Sequence, residues 1–162
     1  MVLVGFMGAG KSTVGRLLAA KLGLPFTDSD QVIEERAGQP IRRIFADAGE
    51  PAFRELERQV VADLIDGPEA VLALGGGAAE HPDTVVRLKS AQVIYLQVGY
   101  DEAMLRVVGD EYRPLLRRPD LETLYQRRLG VYDAVATLTV ATDGRRPEAV
   151  SQDVLAYLTT AG

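Results

Sequence analysis

The chain has 162 residues, 47% apolar and 25% charged, with a net charge of −5 from 18 basic and 23 acidic side chains. That size and balance fit one soluble domain with a single sizeable core, and the acidic excess argues against non-specific binding to nucleic acid or an anionic membrane surface. Without cysteine there are no disulfides, thiol nucleophiles, thiolate zinc sites or iron–sulfur clusters, and the single histidine, His81, stands before Pro82 at an expected helix start, where a Ser-His-Asp arrangement is a poor fit. No apolar run reaches the length of a membrane span and a strand pattern begins at Met1, so the expected location is cytoplasmic.

Short apolar runs alternate with stretches of helical period. Met1–Val4 reads as a buried strand and Lys11–Leu22 as the helix after it; Pro25–Thr27 is a second strand, and helical pattern follows from about Asp30 to Ala37, then over Ile41–Asp47 and Ala52–Ile65. Ala70–Leu74 is a third strand that stops at Gly75-Gly76-Gly77. Pro82–Leu88 is a helix, Gln92–Val98 a fourth strand, Asp101–Val108 a helix, Leu121–Ala136 another, Leu138–Ala141 a fifth strand, and Pro147–Thr160 a closing amphipathic helix with proline near its first turn. All-apolar strands separated by helices predict an α/β fold with a parallel sheet covered on both faces. There is no internal repeat or linker, so residues 1–162 are expected to form one domain. Between Gly109 and Pro119 the chain carries Arg113, Arg117, Arg118 and two prolines, with Arg106 just upstream, which reads as a mobile flap or a solvated basic loop.

Gly5-Phe6-Met7-Gly8-Ala9-Gly10-Lys11-Ser12 is a complete phosphate-binding loop, lying between a strand and a helix as that motif requires. Its glycines turn backbone N–H groups inward at the positive end of the helix, Lys11 adds a charge near the β- and γ-phosphates, and the Ser12 hydroxyl can ligate Mg²⁺. The chain has no asparagine, hence no Asn-Lys-x-Asp guanine motif, and no strand ends in Asp-Glu; both features favour a small-molecule kinase over a switch or a large ATPase.

Asp28-Ser29-Asp30 follows the second strand, where open parallel sheets bind ligands. On an extended segment the two carboxylates point to opposite faces, one toward metal and phosphates and one toward an acceptor hydroxyl; capping of the next helix by Asp30 is the alternative. Arg54 and Glu57 share a helical face, as a surface ion pair or as a grip for a substrate carboxylate. Gly75–Gly77 admit close approach of a ligand to the backbone, or form a tight turn. Arg128 and Tyr132 lie one turn apart.

Taken in order, the motifs at 5–13, 28–30, 44–57, 75–77, Arg113-Pro114-Leu115-Leu116 and Arg128-Leu129-Gly130-Val131-Tyr132 resemble a shikimate kinase along essentially the whole chain. The resemblance implies a three-layer nucleoside-monophosphate-kinase type fold with a five-stranded parallel sheet, a helical substrate region at about 30–60 and a lid at about 108–120. It implies transfer of the ATP γ-phosphate to the 3-hydroxyl of shikimate, with Mg²⁺, in the chorismate pathway. Asp30 would hold the reacting hydroxyl and act as base. Asp28 and Ser12 would serve the metal, and Arg54 and Arg128 would clamp the shikimate carboxylate over Gly75, Gly76 and Gly77. Gly8, Ala9, Gly10, Lys11, Ser12 and Thr13 would bind nucleotide, with Arg106 and Arg145 flanking adenine and Arg113 swinging in on the lid. The arginine–tyrosine motif lacks the proline common before its last positions, and the adjacent Arg127 is a competitor for the role of Arg128. Shikimate and ATP are the expected partners of a monomer. A kinase of another sugar acid such as gluconate, and a nucleotide-gated protein without catalysis, are the alternatives.

Overall fold

A computed structural model describes residues 1–109 and 114–161. Five parallel strands, β1 (Val2–Val4), β2 (Phe26–Asp28), β3 (Val71–Ala73), β4 (Val93–Gln97) and β5 (Leu138–Ala141), form one sheet in the order β2-β3-β1-β4-β5. β1, central in the sheet, aligns Leu3 with Ala73 on one side and with Ile94 on the other. Leu3 and Ile94 are wholly buried, as expected of strands covered on both faces by crossover helices. The expected three-layer fold is therefore the observed one, with strand ends within a residue or so of the sequence reading. No described helix is long and apolar enough to cross a membrane.

The helices are α1 (Lys11–Leu22), α2 (Ser29–Ala37), α3 (Ile41–Asp66), α4 (Pro82–Leu88), α5 (Tyr100–Val107), α6 (Leu121–Val135) and α7 (Pro147–Ala161), with 3₁₀ turns at Ala78–Glu80 and Pro114–Arg117. α1 packs on α7 and β3, α2 on α3 and β2, and α6 on β4 and the first 3₁₀ turn. α3 is bent where Gly49 (φ 83°, ψ 169°) precedes Pro51, so the sequence expectation of two helices describes its backbone well. Beside the main core, Ile33, Ile44, Phe53 and Val60 form a second cluster of their own between α2 and α3, with the Phe45 and Phe53 rings 4.7 Å apart.

α1 seats on the sheet at Gly15, where a Cβ would lie 2.5 Å from the Phe26 ring and 3.0 Å from Leu3. Alanine at this position gains about 1 kcal/mol of helix propensity but must force the helix off the sheet, a strain on the order of 1–3 kcal/mol. Gly15→Ala is therefore expected to lower stability in denaturant unfolding; an unchanged or raised midpoint would mean that the seat is looser than the distances imply.

Candidate active site

The chain leaves β1 at Val4, turns through residues 5–10 and enters α1 at Lys11. Gly10 caps that helix in the left-handed region (φ 91°), with no side-chain capping bond, so the first N–H groups of α1 are left to face a ligand. The Lys11 ammonium donates to the carbonyls of Gly5 at 2.7 Å and Phe6 at 3.1 Å, bridging the two ends of the loop. Residues 8–13 all border one cavity of about 830 Å³.

Asp28 and Asp30 open onto the same cavity, but not as two residues of an extended segment. β2 ends at Asp28, which is the N-cap of α2: its Oδ1 accepts from the Asp30 N–H at 2.9 Å. Capping therefore falls to Asp28 rather than Asp30, and the two carboxylates diverge because one precedes the helix and the other lies in its first turn. The other Asp28 oxygen accepts from the Ser12 hydroxyl at 2.7 Å, joining the phosphate loop to the end of β2. Asp30 lies over Gly75, where a Cβ would come within 2.6 Å of its Oδ1; the Gly75 N–H donates to the Ser29 hydroxyl at 2.9 Å.

The three glycines after β3 form the floor. A Cβ on Gly77 would collide with the guanidinium groups of both Arg54 and Arg128, so two cations from α3 and α6 close on a single backbone position. The Gly76 carbonyl accepts from the Tyr132 hydroxyl at 2.5 Å; burial raises the Tyr132 phenol far above its usual range, so it stays protonated as a donor. Arg54 is held by Glu57 at 2.7 Å and Glu50 at 3.3 Å. Its partner Glu57 is buried (3% exposed), which rules out a surface ion pair. Burial pushes the Glu57 carboxyl above the usual carboxylate range, with Arg54 pulling the other way. Arg128 is 1% exposed and ion-paired with Glu80, whereas Arg127 has a side chain 59% exposed. Of the two, Arg128 lines the cavity.

On the far side Arg106 donates to the carbonyls of Gly8 (3.0 Å) and Thr142 (2.8 Å) and to the Thr142 hydroxyl (3.1 Å), tying the phosphate loop to the turn after β5. Arg145 also borders the cavity, but its guanidinium is engaged by the Ala141 carbonyl and by Asp153 of α7, so it serves first to hold that turn. Arg113, the expected lid arginine, lies outside the described residues. Glu80 carried no signal in the sequence, because it matters only through arginines brought to it by the fold; Glu50 stood within the 44–57 motif with no role assigned to it.

The family model for shikimate kinase matches residues 7–159. The chain is 44% identical over 164 residues to a shikimate kinase of Thermobifida fusca (strain YX), an alignment covering 99% of this chain and 95% of that protein. It is 47% identical over 160 residues to one of Salinispora arenicola (strain CNS-205), covering 97% and 96%. Among solved structures, a shikimate kinase from Acinetobacter baumannii in complex with shikimate superposes with a TM-score of 0.92 at 36% identity, covering 99% of this chain and 92% of that one.

Proposed function

The chain belongs to the shikimate kinase family, and on that premise we propose that it transfers the γ-phosphoryl group of ATP to the 3-hydroxyl of shikimate, giving shikimate 3-phosphate and ADP for the chorismate pathway. The observation that carries this reading is the convergence of Arg54 and Arg128 on Gly77, with Asp30 over Gly75, in one cavity with the phosphate loop. Two guanidinium forks suit a planar carboxylate, and a carboxylate two glycines away suits a hydroxyl on the same small ring.

Phosphoryl transfer asks the protein for alignment and charge neutralisation. The N–H groups of residues 8–13 cradle the phosphates, and Lys11 turns from the loop carbonyls to the β- and γ-oxygens. Asp30 orients the acceptor hydroxyl and takes its proton as that oxygen bonds to the γ-phosphorus and the bond to the bridging oxygen breaks. Arg113 neutralises the transferring group from the lid at about 108–120, while the region at about 30–60 holds the acid. Arg106, through its hold on Gly8 and Thr142, and Arg145, at the turn it braces, shape the side of the cavity that takes adenine.

A magnesium ion fits the donors available. The Ser12 hydroxyl and Asp28 carboxylate are hard oxygen groups already in contact, and the described residues hold no cluster of three or more His, Cys, Asp or Glu. Mg²⁺ takes few protein ligands and completes its shell with phosphates and water. When bound it would neutralise phosphate charge; Ser12 and Asp28 would hold it, Asp28 through water. We take the chain to act as a monomer, and the net charge of −5 supports small-molecule partners rather than nucleic acid. We take it to work in the cytoplasm.

The deciding experiment is a coupled assay of ADP release with shikimate, quinate and gluconate as acceptors. Turnover with shikimate is expected; release with gluconate but none with shikimate would sink the substrate assignment. Arg54→Ala should raise the KM for shikimate about 10–100-fold with a smaller change in kcat, since hydrogen bonds to charged groups contribute about 1.5–3 kcal/mol. It should also make stability more pH-dependent. A carboxyl raised in the folded state costs nothing below its unfolded pKa and progressively more as pH climbs through its folded one. Removing Arg54 raises Glu57 further, so the stability lost relative to the parent should be larger at pH 8 than at pH 5 in denaturant unfolding.

A further inference from the structure

The first 3₁₀ turn, Ala78–Glu80, begins directly after the glycine floor and packs against α6. Its last residue, Glu80, is half-buried and spans two neighbouring arginines. Its Oε2 accepts from Arg128 Nε at 3.0 Å, and its Oε1 accepts from Arg127 Nε at 3.0 Å and lies 2.9 Å from Arg127 Nη2. Burial alone would raise the Glu80 carboxyl, but Arg128 and Arg127 overcome it and hold the group below the usual range, so it is ionised.

The consequence lies in which edge of Arg128 is used. A guanidinium has five N–H donors in a fixed fork. Glu80 takes the Nε edge, and the other two nitrogens lie against the floor: Nη1 is 3.3 Å from a Cβ on Gly76, as is the Tyr132 hydroxyl, and Nη2 lies 2.6 Å from one on Gly77. Arg54 also closes on Gly77, but Glu57 holds it through Nη1, the same nitrogen that faces Gly77, and not through Nε. Two like charges at one point repel, and a long side chain on α6 has other rotamers to adopt. A carboxylate paired with each arginine offsets that repulsion, and at Arg128, gripped at Nε, it also fixes the direction of the fork.

The geometry points to Glu80 as the positioning residue that aims Arg128 at the substrate carboxylate, with Arg127 as its outer brace rather than a second ligand for the acid. This rests on the assignment of shikimate as acceptor. It also opposes a simple electrostatic expectation, under which an anion behind Arg128 weakens anion binding and its removal tightens it. Because an aligned fork makes two short charged hydrogen bonds and a wandering one makes neither, alignment outweighs the longer-range repulsion.

The test compares steady-state kinetics of Glu80→Ala, Glu80→Gln and Arg127→Ala with the parent, varying shikimate and ATP separately and recording thermal midpoints. Glu80→Ala should raise the KM for shikimate about tenfold, with kcat within about twofold and the KM for ATP unchanged. Glu80→Gln keeps an oxygen for Arg128 Nε and should raise it about twofold to fourfold. Arg127→Ala, a change at an exposed side chain that leaves the fold intact, should raise it about twofold. A shikimate KM for Glu80→Ala that is unchanged or lowered overturns the proposal. So does a parallel rise in both KM values with a fall in kcat, the mark of a merely structural role. Should Glu80→Ala not fold, an unchanged or lowered KM in Glu80→Gln and Arg127→Ala overturns it equally. Turnover of shikimate by the parent enzyme tests the substrate assignment by itself, so the two failures are distinguishable.

Discussion

Lys11→Ala should lower kcat by about 10³-fold while the protein keeps its fold. Lys11 is the only cation within the phosphate-loop motif, and the charge that builds on the β–γ bridge during transfer has to be met by fixed donors and cations nearby. Removing one such group from a preorganised site typically costs 10²–10³-fold. Here the loss is compounded, because the same ammonium bridges the carbonyls of Gly5 and Phe6 and so defines the closed shape of the loop. Arginine should not restore activity, since its bulkier fork cannot occupy a place fitted to a compact ammonium. A kcat within tenfold of the parent, at an unchanged thermal midpoint, would show that the N–H groups of the loop suffice.

Arg128→Ala should combine a large loss of substrate binding with a large loss of stability. On the proposed role of Arg128 it takes two charged hydrogen bonds from the acid, so the shikimate KM should rise on the order of 100-fold. It also empties a fully buried position and leaves Glu80, among the described residues, with the exposed Arg127 as its ion-pair partner. Breaking a buried pair costs about 3–5 kcal/mol; with Glu80 only half-buried, about 2–3 kcal/mol is expected, or a thermal midpoint lower by about 5–10 °C for a chain of this size. Arg128→Lys should recover much of the stability and little of the affinity, because a point charge cannot bond Glu80 and the acid together. Equal recovery of both would mean that charge alone is what the site uses.

The strands and the phosphate loop were legible because their signals are local. An apolar run such as Val2–Val4 can hardly be anything but a buried strand, and the glycine spacing of residues 5–10 states its own backbone path. Arg128 and Tyr132 were likewise legible as a pair from their four-residue spacing. What the sequence concealed was contact across distance. Nothing in the segment around Glu80 indicates that it meets α6 from 48 residues away. Glu57 shares a helical face with Arg54, but its burial depends on the floor after β3, which covers that face. The reading of Asp28–Asp30 as extended failed for a different reason. A strand end and a helix start overlap there within three residues, and an aspartate on that boundary fits either state.

The separate packing of Ile33, Ile44, Phe53 and Val60 has a consequence for how such an enzyme can change over evolutionary time. α2 and α3, the helix that carries Arg54, share this cluster, with Leu64 among the side chains that touch both it and the main core. Substitutions that tilt α2 against α3 can therefore reshape the acceptor pocket while the nucleotide machinery stays in register. Acceptor preference could drift, or be redirected in the laboratory, by repacking four apolar side chains of which only Phe53 borders the cavity.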